Sequence, residues 1–236
     1  MNLNVSKEHI LFLDIETVPE HEFYDDLSDL QKELFTEKTA YQRKTKPLGE
    51  PEITPEEFYQ RAGIWAEFGK IVCISVGYFA PLGKERSFRI KSFLGDDEGQ
   101  LLKEFKNLLD RHFNHPKHLL CGHNAKEFDF PYIARRMIVH QIALPSKLKL
   151  FGKKPWQIPH LDTMELWKFG DYKNYTSLKL LTMLLGIPSP KEDIDGSQVA
   201  GVYYREKDLK RIAAYCEKDT LAVAQLFLRF NNEPLL

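Results

Sequence analysis

Three short stretches of the chain combine carboxylates with neighbours in patterns that could do chemistry. In Leu13-Asp14-Ile15-Glu16-Thr17, the alternation of a strand would set Asp14 and Glu16 on one face and Leu13 and Ile15 on the other. Carboxylates roughly 4 Å apart repel by about 4 kcal/mol at an effective dielectric near 20, so a shared proton or a bound cation is expected between them. A hard divalent ion taking oxygen ligands would resolve the conflict. The plainer account, a solvated strand end with two ordinary charges, stands beside it, because D-x-E alone is a weak pattern.

The second stretch, Cys121-Gly122-His123-Asn124-Ala125-Lys126-Glu127-Phe128-Asp129-Phe130-Pro131, runs from a short apolar strand through a polar turn into a helix. Asp129 could simply be the N-cap and Asn124 a turn residue. The third, Tyr215-Cys216-Glu217-Lys218-Asp219, lies in a long helical pattern through Leu209, Ile212, Cys216, Leu221, Ala224 and Leu228. Tyr215 and Asp219, four residues apart, would stack on one helix face. Aspartate is a poor mid-helix residue, which makes its position informative, although a solvent-facing charge is the bland alternative.

The elements that must position these residues can be read from periodicity and punctuation. Leu11–Ile15 reads as a strand. Residues 20–53 are charge-rich with scattered aromatics and resemble an insertion in a single domain spanning 1–236. Thr54-Pro55-Glu56-Glu57 opens a helix with a capping box and a proline in the first turn, predicted to run to Gly69. Ile71–Phe79 and Ser87–Phe93 read as a hairpin turning at Pro81-Leu82-Gly83. Helices are predicted at Asp97–Phe113 and Pro131–His140, short strands at Leu119–Gly122 and ending near Leu161, and helices at Asp162–Trp167, Ser177–Leu185, Gln198–Tyr204 and Lys207–Phe230. This order implies an α/β fold, a mixed sheet flanked by helices. Neither GxxxxGK(S/T) nor GxGxxG occurs, which argues against the common nucleotide-binding folds.

Composition narrows the class further. At 236 residues, 43% hydrophobic and 28% charged, the chain reads as an ordinary globular protein. No apolar run suggests a bilayer crossing, and the N-terminus lacks a signal-peptide core. Three widely spaced cysteines (Cys73, Cys121, Cys216) suit reduced thiols and a cytoplasmic setting. A formal charge of −1 disfavours a protein that grips long duplex, so any nucleic-acid contact should be local: a strand end, a few phosphates, a bridging metal. Arg135, Arg136, Lys147, Lys149, Lys153 and Lys154 are the basic candidates for a backbone path. The run His112, His115, His118 suggests a zinc site less well than a helix C-terminus favouring histidine, because Pro116 interrupts it.

Together and in this order, D-x-E on a first strand, N-x(3)-F-D after a later strand and Y-x(3)-D on a late helix resemble the three exonuclease motifs of the DEDD superfamily. The tyrosine four residues before the last aspartate matches its DEDDy subclass. Phe68–Gly77, His160–Met164 and Ser177–Leu181 look like the exonuclease domains related to family-B DNA polymerases. The resemblance implies a ribonuclease-H-like fold and a stand-alone 3′→5′ exonuclease. Asp14, Glu16 and Asp219 would ligate one Mg²⁺ or Mn²⁺, and Asp14 with Asp129 a second, while Tyr215 orients the attacking water. Thr17, His123, Asn124 and Phe128 would position the terminal nucleotide. The implied substrate is a nucleic acid 3′ end, single-stranded DNA first, with RNA ends as the alternative. A silent binding module would be expected to show a damaged ligand set, and a ribonuclease-H-like endonuclease to lack the Tyr215/Asp219 pairing.

Overall fold

Strand β1 (Ile10–Pro19) is the middle of the sheet, and its alternation decides the architecture. The computed structural model describes residues 5–44, 52–80, 87–171, 175–188 and 193–236; the expected turn at Pro81-Leu82-Gly83 and part of the 20–53 segment lie outside them. The sheet continues with β2 (Gly69–Ala80), β3 (Ser87–Leu94), β4 (Leu119–Gly122) and β5 (Leu161–Asp162) in the order β3-β2-β1-β4-β5. β2 and β3 run antiparallel on one side of β1, and β4 and β5 run parallel on the other. The helices are α1 (Asp29–Arg43), α2 (Pro55–Phe58), α3 (Glu98–His112), α4 (Asp129–Val139), α5 (Thr163–Lys168), α6 (Leu178–Leu184), α7 (Val199–Gly201) and α8 (Leu209–Phe230). This is the ribonuclease-H-like α/β arrangement.

The two faces of β1 serve two layers. Leu11, Leu13 and Ile15 enter the larger core with Leu102 and Phe105 of α3 and Phe130 and Ile133 of α4. Ile10 and Phe12 pack on Val223, Ala224 and Phe227 of α8. Asp14 and Glu16 continue the second face, so strand parity alone aims both carboxylates at α8. Between Glu16 and Thr17 the register with β2 slips: Glu16 pairs Cys73 but Thr17 pairs Ile71, leaving Val72 as an extra residue. Such a bulge bends and twists the sheet beside the acidic pair.

Two expected elements differ from the prediction. The helix opened by Thr54 has its capping box with Glu57, yet ends at Phe58 rather than Gly69 and tightens into a 3₁₀ segment, Tyr59–Ile64. Gly63 lies against β1, where an added Cβ would meet the Val18 carbonyl carbon at 3.0 Å. Phe58, Tyr59 and Ala62 turn into an aromatic cluster, and that packing overrides helix propensity. The Gln198–Tyr204 helix begins as α7 but widens into a π turn at Val202–Glu206, closed by Lys207 in the left-handed region (φ 56°). Tyr204 of this turn donates its hydroxyl to the Pro19 and Glu20 carbonyls (2.6 and 2.9 Å), which fastens it to the end of β1.

The charge-rich segment after β1 is folded where it is described. Ser28 caps α1, and Phe35 is wholly buried with Leu27, Phe58, Tyr59 and Phe68. Phe35 meets Phe68 and Tyr59 edge-on at 5.1 and 5.3 Å. Only one apolar side chain of α1 reaches the interior, which is why the helix is hard to see in a charge-rich sequence.

Behind the sheet, Glu98 at the start of α3 accepts from the Ile71 backbone N–H (2.7 Å), from Arg136 Nε and Nη2 (3.0 and 2.6 Å) and pairs with His140 Nε2 (2.6 Å). Arg136 also donates to the Ala66 carbonyl (2.9 Å) and Glu20 (3.1 Å). Arg136 is therefore not on a backbone path: it is 4% exposed and committed to this network. Lys147 is likewise engaged, donating to the His115 and His118 carbonyls at 2.7 Å each, while Arg135, Lys149, Lys153 and Lys154 are exposed. His112, His115 and His118 do not converge within metal-ligand distance; His118 packs on Phe113 and His9 instead. Among the described residues no helix is long and apolar enough to cross a membrane, and all three cysteines are buried and unbridged. Removing one partner of a buried ion pair strands the other, so Arg136→Ala should lower stability by about 3–5 kcal/mol. Arg135→Ala should stay within about 0.5 kcal/mol of the parent. Urea denaturation reads both, and near-equal values would show that the Glu98 network contributes little.

Candidate active site

Residues from four parts of the chain meet at one cleft of about 320 Å³. β1 contributes Asp14 and Glu16, the N-terminus of α4 contributes Asp129, and α8 contributes Tyr215 and Asp219. The β4–α4 loop adds His123, Asn124 and Phe128, and Tyr175 completes the wall. Glu16 and Asp129 are 7% and 4% exposed, so their carboxylates are held away from bulk water. Carboxylate oxygens of Asp14 and Glu16 and the Cys216 sulfur all lie within 4.8 Å of one another.

Burial and mutual repulsion raise every acid in this group for which a shift is resolved. Asp14 is pushed well above the carboxylate range by desolvation, then by the charges of Glu16, Asp219 and Asp129. Glu16 is raised by desolvation and then by Asp219. Asp129 is raised from 3.8 to about 7, mainly by burial, against a stabilising hydrogen bond from the Ile15 backbone N–H. Among the described residues no lysine or arginine lines the cleft to compensate. An all-oxygen donor set with uncompensated negative charge fits hard divalent cations, which favour carboxylate ligands. Cys216 is a different component. Its thiol donates to the Asp14 carbonyl and carboxylate (3.3 Å each), and burial pushes its pKa up, so it is a neutral donor rather than a thiolate ligand.

Tyr215 donates its phenol to Asp219 one helical turn on, and burial with three nearby carboxylates keeps it protonated. His123 has both ring nitrogens in use, one against Thr163 Oγ1 (2.9 Å) and one against the Thr176 carbonyl (2.8 Å). A ring donating to a carbonyl on one side and paired with a hydroxyl on the other is neutral, in line with its lowered pKa from burial. Asn124 sits in the left-handed region (φ 62°), which asparagine tolerates better than most residues. Its backbone N–H donates to Asp162 Oδ1 (2.9 Å), and its buried side-chain oxygen has no hydrogen-bond partner.

Of the residues singled out in the sequence, Asp14, Glu16, Asp129, Tyr215, Asp219, His123, Asn124 and Phe128 all line the cleft. Thr17 does not. Being odd in the strand alternation it faces away from Asp14 and Glu16, and its side chain is hydrogen-bonded to the Tyr132 hydroxyl. Three contributors were missed. Cys216 was read as a core position, which it also is. Tyr175 carries no sequence signal. Asp162 was read only as a helix start, yet its carboxylate also accepts from the Asn124 and Lys126 N–H groups (2.9 and 3.0 Å), holding the β4–α4 loop against α5.

Residues 64–233 match the family described as predicted 3′-5′ exonucleases related to the exonuclease domain of PolB, and the chain belongs to that family. No curated protein matches the chain. The matched span contains Asp129, Tyr215 and Asp219 but begins after β1, so it is the fold that brings Asp14 and Glu16 to them.

The raised carboxyl pKa values have a consequence for stability. Between about pH 4 and 7 the folded metal-free chain binds more protons than the unfolded one, so its stability falls as pH rises through that window. Bound divalent cations should offset this, and their stabilisation should therefore grow with pH. Thermal melts with and without Mn²⁺ should show a larger increase in Tm near pH 8 than near pH 5.5, and an increase independent of pH would contradict the electrostatic account.

Proposed function

We propose that this chain is a metal-dependent 3′→5′ exonuclease that removes nucleoside 5′-monophosphates from single-stranded or frayed DNA 3′ ends, with two Mg²⁺ or Mn²⁺ ions held by Asp14, Glu16, Asp129 and Asp219. The observation that carries this reading is the meeting of these four carboxylates, from β1, α4 and α8, in a cleft that no lysine or arginine lines among the described residues. Asp14, Glu16 and Asp219 are suited to the first ion, and Asp14 with Asp129 to the second. Paired cations there would supply Lewis-acid stabilisation of the attacking and leaving oxygens of an in-line displacement.

The remaining roles follow from the side chains. Tyr215, kept as a phenol, can position an attacking water but not take its proton as a phenolate, the arrangement of the DEDDy subclass. Cys216 holds Asp14 in place from below through its thiol. The unpartnered oxygen of Asn124 is the polar group best placed to meet the terminal nucleotide, with Phe128 offering a ring beside it. His123 acts by fixing its loop, since both nitrogens are engaged. A cleft of about 320 Å³ is at the small end for ligand pockets, suited to one nucleotide rather than a duplex, in keeping with a formal charge of −1.

The test is a gel assay on 5′-labelled single-stranded DNA and matched RNA with Mg²⁺, Mn²⁺ or EDTA. The parent should give a metal-dependent ladder shortening from the 3′ end, faster on DNA. Asp219→Ala should reduce the rate on the order of 10²–10³-fold or more while the fold persists. Tyr215→Phe should slow cleavage by roughly 10–100-fold with metal binding retained. Parental activity in Asp219→Ala would sink the metal assignment, and faster cleavage of RNA would transfer the enzyme to RNA ends.

A further inference from the structure

Beside the catalytic cleft lies a second cavity, of about 270 Å³, that shares the wall residue Asn124 with it. Its other walls come from Pro155 in the loop before β5, from Met164 and Gly170 around α5, and from side chains of both charges, Lys126 and Lys168 beside Glu127, Asp162, Glu165 and Asp171. Lys126 pairs with Glu165 (2.5 Å) and Asp162 is enclosed by backbone N–H groups, which leaves the cavity's charge acidic rather than basic. A cavity of that character suits a neutral aromatic ring better than a phosphate.

Its rim is of another kind. Trp156 adjoins the wall residue Pro155 and is 73% exposed, and Phe151 in the same loop is 74% exposed. Phe169, also 73% exposed, sits between the wall residues Lys168 and Gly170. It closes α5 as its C-cap in the left-handed region (φ 45°), which a bulky side chain rarely adopts. Within the loop the charge is one-signed, since no aspartate or glutamate occurs between Asp129 and Asp162 while Lys149, Lys153 and Lys154 are exposed there; the acids of the cavity, Glu127, Glu165 and Asp171, lie on its other walls. Lys154 lies over the Trp156 ring at 5.2 Å from its centroid, and the ring is still mostly exposed.

We infer that the 149–156 loop and Phe169 form a platform for single-stranded DNA leading into the catalytic cleft: Trp156, Phe151 and Phe169 stack bases, Lys149, Lys153 and Lys154 meet phosphates, and the cavity beside Asn124 receives the base next to the terminal nucleotide. Open aromatics interleaved with lysines are how proteins hold single strands without reading sequence. Continuity through Asn124 ties the platform to the site, and the cationic loop complements a phosphate chain. The direction of the strand rests on the exonuclease reading; the existence of the platform does not.

Binding can be read apart from turnover, by fluorescence anisotropy of a labelled oligothymidylate of roughly 12 nucleotides in EDTA. Trp156→Ala should weaken binding about tenfold, and Trp156→Phe should restore most of it. Lys153→Gln with Lys154→Gln should lower the slope of log affinity against log salt by about 0.7 per lysine. Met183→Ala, on the exposed face of α6, is the control and should leave affinity unchanged. A Trp156→Ala affinity within about twofold of the parent, or a parent that does not bind the strand, overturns the platform and leaves these aromatics to a protein partner. A parent that binds through Trp156 yet cleaves nothing with Mg²⁺ or Mn²⁺ keeps the platform and refutes the exonuclease reading.

Discussion

Carboxylates gathered in one cleft push each other apart, and the rest of the structure can be understood as what holds them there. Asp14, Glu16, Asp129 and Asp219 have no lysine or arginine among the described residues around them. Without a cation, protons must reside on some of them, which is what the raised pKa values of Asp14, Glu16 and Asp129 express. A cluster of this kind costs stability in the metal-free chain and survives only if its supports are rigid. That repulsion is what a divalent cation held there would relieve.

The supports are of two sorts. Apolar packing fixes the strand and helices that carry the acids: Leu11, Leu13 and Ile15 are buried under α3 and α4, while Ile10 and Phe12 are buried under α8. Both layers clamp β1, so its central acids cannot withdraw from one another. Polar ties then set the finer geometry. Cys216 holds Asp14, Asp162 holds the loop of Asn124, and Tyr204 of the π turn holds the far end of β1. Farther off, the Glu98–Arg136 network locks the starts of α3 and β2 to α4, the helix whose first residue is Asp129.

This division accounts for the distribution of charge. A chain with a formal charge of −1 cannot attract a polyanion over its whole surface. On the proposed reading it would do so through cations at the acidic cleft and through a local basic stretch, the acid-free run between Asp129 and Asp162 in which Lys149, Lys153 and Lys154 are exposed. Two basic residues of that run serve the fold instead: Arg136 is buried on Glu98, and Lys147 closes the turn at His115 and His118.

The order and kind of the elements, and the acids themselves, were legible in the residues because each rests on a local pattern: alternation for β1, a capping box at Thr54, helical spacing from Leu209 to Leu228. Parity along β1 already separated Asp14 and Glu16 from Leu13 and Ile15, whereas Thr17, expected at the site, lies on the Leu13 and Ile15 side and is absent from the cleft wall. What local pattern cannot carry is distance between segments far apart in the chain. The roles of Cys216 beneath Asp14, of Asp162 under the Asn124 loop and of Tyr175 in the cleft wall exist only once β1, β4, β5 and α8 are assembled. The early end of α2 and the burial of Arg136 were decided the same way, since Gly63 must lie on β1 and Glu98 must find a partner. Residue type and spacing determined which chemistry this chain can attempt; packing between distant segments decided which side chains are near enough, and dry enough, to take part in it.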